Sequence, residues 1–229
     1  MLCSRPVEAP ARLMDAASGQ PPALTLVVGA DHAVALASAK AATEAGLIEP
    51  LLLGAPARIA ALAEEAHWDI AGFQVIPAEG ETALAEAATE AAADPALQII
   101  MKGQIHTDAL MAALLKREAG IRTGRRLSHV FHMTVPGHDD PLLISDGALN
   151  VAPDAKTFEA IAGNLVTLCH RIAIPRPRIA CLSATEEPLA QMPSSIAAGA
   201  LADWANGQGW SADFAGPMAF DNAVSPQAA

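Results

Sequence analysis

The apolar run "LQIIMKG" ends on Lys102 and Gly103, and Thr107 or Asp108 then opens a helix-like pattern. In open α/β sheets, ligands bind beyond the carboxyl ends of the strands. The first amides of the following helix favour an anion there. Lys102 adds a positive charge, and Gly103 lets backbone approach a ligand. The competing reading is a routine strand-to-helix loop whose lysine points to water. A second concentration of charge follows in "KREAGIRTGRRLSH", which holds Lys116, Arg117, Arg122, Arg125 and Arg126, five of the 14 Lys and Arg in a chain of net charge −11. The planar donor fork of arginine matches phosphate. Lys116 and Arg117 are accounted for as cations at a helix C-terminus. Arg122 and the Arg125–Arg126 pair divide evenly between a solvated helix end and an anion site. A third stretch, "LLISDGALNVAPD", stops an apolar run at Asp146 and carries Asn150 and Asp154 beyond it. Turn chemistry and a helix start explain Gly147, Pro153 and Asp154. They leave Asp146 and Asn150 unexplained.

Other chemistries find less in the chain. "GADHAVA" has one glycine where a dinucleotide fingerprint needs three, and Asp31 within it reads as a helix cap. His129, His132 and His138 lie near Asp139 and Asp140, but residues 129 and 132 of a strand point to opposite faces, so no metal is expected. Ser183 lacks the flanking glycines of a nucleophile elbow.

These groups must be positioned by a fold. "ALTLVVGA", "EPLLLGA", "GFQVIPA" and "LQIIMKG" are apolar runs, each followed by an Ala-rich helical pattern. Gly46 ends the first helix and Pro56 starts the second. Alternating strands and helices with continuous apolar strands predict an α/β fold with a parallel, doubly wound sheet. After Gly124 the rhythm changes. "LSHVFHMTV" and "PLLISD", separated by "PGHDD", predict an antiparallel hairpin. A helix from about Asp154 to His170, a strand in "RIACLSA" and a helix capped by Ser194 or Ser195 follow, and "WSADFAGPMAFDNAVSP" is read as a last strand and loop. Two domains are expected, 1–124 and 125–229, with about 1–22 offering no ordered element. The 229 residues, 52% of them hydrophobic, can fill such cores. The net charge, 3% aromatics and no Tyr argue against nucleic acid or an anionic membrane as partner. Cys3, Cys169 and Cys181 are odd in number, with no CxxC spacing, which favours reduced thiols in a cytoplasmic protein. No run is long enough to span a bilayer.

"MKGQIHTDALMAALLKREAGIRTGRRLSHVFHM", "LLISDGALNVAPD", "LSATEEP", "MPSSIAA" and "GPMAFDNAVSP" occur in an order and spacing that resembles the phosphate acetyl/butyryl transferases, with the "MKG" to "LSHV" segment closer to the butyryl branch. The resemblance implies acyl-CoA plus phosphate giving acyl phosphate plus CoA. It also implies a two-domain fold similar to the isocitrate and isopropylmalate dehydrogenases, an active site in the interdomain cleft, and a homodimer. CoA and acyl-CoA are substrates, and no cofactor or metal is needed. On this reading Arg122, Lys102 and the amides near Gly103 and Thr107 hold phosphate, and Ser128 donates a hydrogen bond. Asp146 and Asn150 line the opposite wall. In the family a further segment supplies the last strands of the first domain, a Ser-Arg pair and an Asp. This sequence stops at Ala229 without them, and Ser4–Arg5 lies elsewhere and is assigned nothing. The reading therefore leaves the catalytic residues unassigned and expects low or no transferase activity. The alternative is a non-catalytic module that binds acyl-CoA or phosphate, like the transferase-like domain of some malic enzymes. A dehydrogenase of the related fold would need metal-binding aspartates and a nucleotide signature, and neither is found.

Overall fold

The computed structural model describes residues 9–135 and 140–225. In chain order the elements of the first half are α1 (Ala11–Ala17), β1 (Ala23–Val28), α2 (Ala33–Glu44), β2 (Ile48–Gly54), α3 (Pro56–Glu65), β3 (Val75–Pro77), α4 (Glu81–Ala91), β4 (Ile99–Lys102) and α5 (Thr107–Leu114). The second half holds β5 (Val130–Met133), β6 (Leu142–Ser145), α6 (Ala155–Arg171), β7 (Arg178–Leu182), α7 (Pro193–Asn206), β8 (Asp213–Met218) and α8 (Phe220–Val224). The chain divides into two compact units. One is Ala17–Thr123, and the other is Gly124–Ala229 together with the stretch before Ala17. α1 forms where no element was expected. Its seven residues include none that is buried, so it has no apolar stripe to read.

The unit of Ala17–Thr123 is a sheet of order β3-β2-β1-β4, parallel throughout. Successive strand residues face opposite ways. Leu26, Val28 and Leu53 pack with Leu84, Ala88, Leu110 and Leu114 of α4 and α5 on one face. Val27 and Leu52 pack with Leu36 of α2 and Ile59 of α3 on the other. The sheet is thus doubly wound, and the continuous apolar runs are what coverage of both faces requires.

Two loops at the carboxyl ends of β1 and β4 press together. Gly29 has φ +72°, and a Cβ on it would lie 2.8 Å from the Gln104 nitrogen. A Cβ on Gly103 would lie 2.6 Å from the Val28 oxygen and 2.8 Å from the Gly29 oxygen. Gly103 is therefore required by packing between the loops, before any ligand is considered. Asp31 is not the helix cap expected of it. α2 has His32 at its N-cap and no side-chain cap, while Asp31 Oδ2 accepts from the Ala55 amide at 3.4 Å. The carboxylate bridges to the β2–α3 turn instead.

In the other unit, β5 and β6 pair antiparallel and β7 and β8 pair parallel, the latter joined through α7. Asp154 caps α6, its Oδ1 accepting from the Thr157 amide at 2.8 Å. Ala162 and Val166 of α6, Cys181, Ala198, Ala202, Ala205 and Phe214 form the core. Neither Ser194 nor Ser195 caps α7, whose N-cap is Met192. Ser195 is fully buried, accepting from the Leu189 amide at 2.8 Å and donating to the Met192 carbonyl at 2.8 Å. It folds the loop before the helix back on itself. On α1, Arg12 donates to Asp140 at 3.4 Å and to the Ala173 carbonyl.

The Gly103 contacts are with the Val28 and Gly29 backbone oxygens and the Ala35 Cβ, none of which can yield as the end of a flexible side chain can. Gly103→Ala is expected to destabilise the protein by about 1–3 kcal/mol, read as a lower midpoint in urea. An unchanged midpoint would show that the two loops are free to separate.

Candidate functional site

In the unit of Ala17–Thr123, a hollow of about 440 Å³ opens at the carboxyl ends of β1 and β4. Asp31, His32, Glu81, Lys102, Gly103, Gln104 and His106 are among the residues that line it. Lys102 turns its ammonium back on the loop, donating to the Ile105 carbonyl at 3.0 Å and the Gly103 carbonyl at 3.4 Å. Of three ammonium donors, that leaves one without a partner in the loop.

Thr107 is the first residue of α5, but the anion expected at this helix start comes from the protein. Glu81, the first residue of α4, accepts the His106 amide at 2.9 Å and the His106 Nδ1 at 2.6 Å. These two hydrogen bonds hold the Glu81 carboxyl below its ordinary pKa. Sequence reasoning missed Glu81 because an acid in the first turn is already explained by its own helix. Arg122 lies in coil, exposed, with no hydrogen bond or ion pair among the described residues, and is not among the residues lining the hollow. Arg117 sits in a short 3-10 turn, Arg117–Ala119, and not in the last turn of α5.

In the other unit, the residues leading into β5 carry Arg125, Arg126, Leu127 and Ser128. This stretch is irregular, so its carbonyls have no ladder partners. Side chains take that place. Asn164 of α6 donates to the Arg126 carbonyl at 2.8 Å and to Ser128 Oγ at 2.9 Å, and its own oxygen accepts from Arg125 Nη2 at 3.0 Å. Asn150 donates to the Leu127 carbonyl at 3.0 Å, and Ser145 Oγ donates to the His129 carbonyl at 2.9 Å. Asn150 is itself held by Asp146, whose Oδ2 accepts from it at 2.5 Å. Asp146 Oδ1 accepts from the amides of Ala148 and Leu149, each at 3.0 Å. Burial pushes the Asp146 carboxyl up, but these amides and the Asn150 side chain outweigh it and bring the pKa down to about 2.

The arrangement brings Ser128, Asn150 and Asp146 to one stretch of chain: Asn164 bonds Ser128, and Asn150, held by Asp146, bonds the adjacent Leu127 carbonyl. Asn164 is a second residue that sequence reasoning missed. Its signal was a lone amide inside the apolar run "EAIAGNLVTLC", flanked by the buried Ile161, Ala162, Leu165 and Val166. Among the described residues, no group of three His, Cys, Asp or Glu side chains could hold a metal ion. His138 and Asp139 lie outside the described residues.

The family profile described as "Phosphate acetyl/butaryl transferase" matches residues 85–229, more than half of the chain. The chain is 39% identical over 219 residues to the phosphate acetyltransferase of Rhizobium meliloti, covering 95% of this chain and 69% of that one. It is 29% identical over 207 residues to the phosphate butyryltransferase of Clostridium beijerinckii, covering 90% and 68%. Identity is therefore higher to the acetyl-named relative, although the "MKG" to "LSHV" segment reads like the butyryl branch. Among solved structures, the branched-chain phosphotransacylase of Enterococcus faecalis V583 superposes with a TM-score of 0.74 at 26% identity, over 90% of this chain and 72% of that one. The profile match, the 39% identity and the shared fold agree: the chain belongs to the phosphate acetyl/butyryl transferase family.

Proposed function

We propose that this chain exchanges an acyl group between CoA and inorganic phosphate. The observation that carries the reading is the family match over residues 85–229, which contains all seven candidate residues: Lys102, Gly103, Thr107, Arg122, Ser128, Asp146 and Asn150. In one direction the CoA sulfur attacks the carbonyl carbon of an acyl phosphate. The C–S bond forms, the C–O bond to phosphate breaks, and phosphate leaves with the electron pair. The thiol proton goes to a base that remains unassigned. The reaction needs two polyanions held in place and donors for the tetrahedral oxyanion, with CoA as substrate and no cofactor or metal. Arg122 and Ser128 are proposed as phosphate contacts, and Lys102, Gly103 and Thr107 as substrate-binding residues. Asp146 and Asn150 act in this reading by holding the Leu127 carbonyl rather than by touching substrate, a use their hydrogen bonds support.

A homodimer in the cytoplasm goes with the proposal. The buried, unpaired thiols of Cys169 and Cys181 fit a reducing compartment. Burial pushes Cys181 up to about 11, which makes it a poor nucleophile at neutral pH. No helix among the described residues is long and apolar enough to cross a membrane.

The direct test is release of CoA thiol from acetyl-CoA and from butyryl-CoA as phosphate is raised. Release that saturates with phosphate is the expected result, against the low or absent activity that the sequence reading expects. Saturable binding of both substrates without release would make the chain a non-catalytic binding module. Arg122→Ala is expected to weaken phosphate binding about tenfold by calorimetry, and Arg117→Ala less than twofold. Equal losses would remove Arg122 from the site. For Asp146, the folded pKa of about 2 lies below the ordinary carboxylate value. Its stabilisation is therefore complete above pH ~4 and is lost as pH falls through ~2. Asp146→Asn is expected to be less stable than the native chain by about 1–2 kcal/mol at pH 7, with the gap in urea midpoint closing between those pH values. A gap that persists at pH 2 would show that the carboxylate charge is not what braces the loop.

A further inference from the structure

The segment from Arg125 to Ser128 is held by one amide in a way that determines what Ser128 can do. Asn164 uses every hydrogen-bonding group it has. One N–H goes to the Arg126 carbonyl and the other to Ser128 Oγ, while the oxygen takes the Arg125 guanidinium. The consequence for Ser128 is chemical. Its oxygen is engaged as an acceptor of the Asn164 amide, so its hydroxyl cannot donate to that group. The Ser128 O–H has no acceptor among the described residues. A serine engaged in this way keeps its donor for another acceptor. Arg125 is drawn to the same amide, so two donors that suit an anion share one anchor.

We propose that Asn164 is the positioning residue of the phosphate subsite: it orients Ser128 as a hydrogen-bond donor and holds Arg125 beside it. The inference rests on the reading of Ser128 as a phosphate contact and assigns to α6 the control of that contact. Asn164 does not touch the substrate. It acts through Ser128 and Arg125, so removing Ser128 removes the larger part of what Asn164 does. Asn164→Asp is nearly isosteric, but it presents oxygens to the Arg126 carbonyl and draws the Ser128 hydroxyl proton onto itself. It should therefore be worse for phosphate than Asn164→Ala.

The test measures inorganic phosphate binding by calorimetry and phosphate-dependent thiol release from acetyl-CoA for six proteins. These are the native chain, Asn164→Ala, Asn164→Asp, Ser128→Ala, the Asn164→Ala/Ser128→Ala double variant and Thr167→Ala. Thr167 lies one turn along α6 and donates only to the Gly163 carbonyl, so it controls for general damage to the helix. Asn164→Ala is expected to weaken phosphate binding about tenfold and Asn164→Asp more, with the KM for acetyl-CoA within twofold of native. In the Ser128→Ala background the Asn164→Ala effect should fall below about threefold. An Asn164 effect that is undiminished without Ser128, or phosphate affinity unchanged in both Asn164 variants, overturns the proposal. So does a Thr167→Ala loss as large as that of Asn164→Ala. If one Asn164 variant fails to fold, the other decides by the same criterion. Absence of thiol release by the native chain, with phosphate binding still lost in the Asn164 variants, removes the acyl-transfer reading and leaves the positioning role standing. Absence of phosphate binding by the native chain removes both.

Discussion

Three backbone carbonyls, those of Arg126, Leu127 and His129, are held by three side chains: Asn164, Asn150 and Ser145. Each such bond contributes only about 1 kcal/mol net. Their importance is geometric. The chain enters the β5–β6 hairpin through an irregular stretch, and without these partners nothing in a strand ladder would define its path. Because Asn164 lies on α6 and Asn150 and Ser145 flank Asp146, the stretch is tied both to a helix of the core and to the far end of the hairpin. Asp146 completes the arrangement. Its carboxylate closes the 146–150 turn through two amides and fixes the Asn150 side chain that reaches Leu127.

The other unit meets the same need by packing rather than by polar bonds. Gly29 and Gly103 allow the loops after β1 and β4 to touch, and that contact sets where Lys102, Gln104 and His106 lie around the hollow. The start of α5 is already served by the Glu81 carboxylate. A helix N-terminus invites an anion, but here a neighbouring helix supplies it. An external anion at α5 would have to compete with a carboxylate that makes two hydrogen bonds to His106. Ser128, whose hydroxyl proton has no acceptor among the described residues, faces no such competition.

The architecture was legible where one local signal was enough. Continuous apolar strands gave away the two-faced parallel sheet, the spacing between "LSHVFHMTV" and "PLLISD" gave the hairpin, and the helix start expected near Pro153 and Asp154 is where α6 begins. Local reasoning failed where a side chain chose a distant partner over a near one. Asp31 crosses to the Ala55 amide, Ser195 turns back to Leu189, and Glu81 reaches His106 twenty-five residues on. Asp146 and Asn150 were recognised as exceptional, but their use was not, because the Leu127 carbonyl lies twenty-three residues before Asn150 and nothing in the spacing announces it. Asn164 escaped for the same reason: its partners are thirty-six to thirty-nine residues away.

The account stands on Ser128 being a donor aligned by its surroundings for a phosphate oxygen. A crystal structure of the chain soaked with inorganic phosphate tests this most directly. The account predicts a phosphate oxygen within hydrogen-bond distance of Ser128 Oγ, with the Asn164 bonds to Arg126 and Ser128 intact. A phosphate seated at the start of α5 in place of Glu81, with the Ser128 hydroxyl donating to protein, would contradict it.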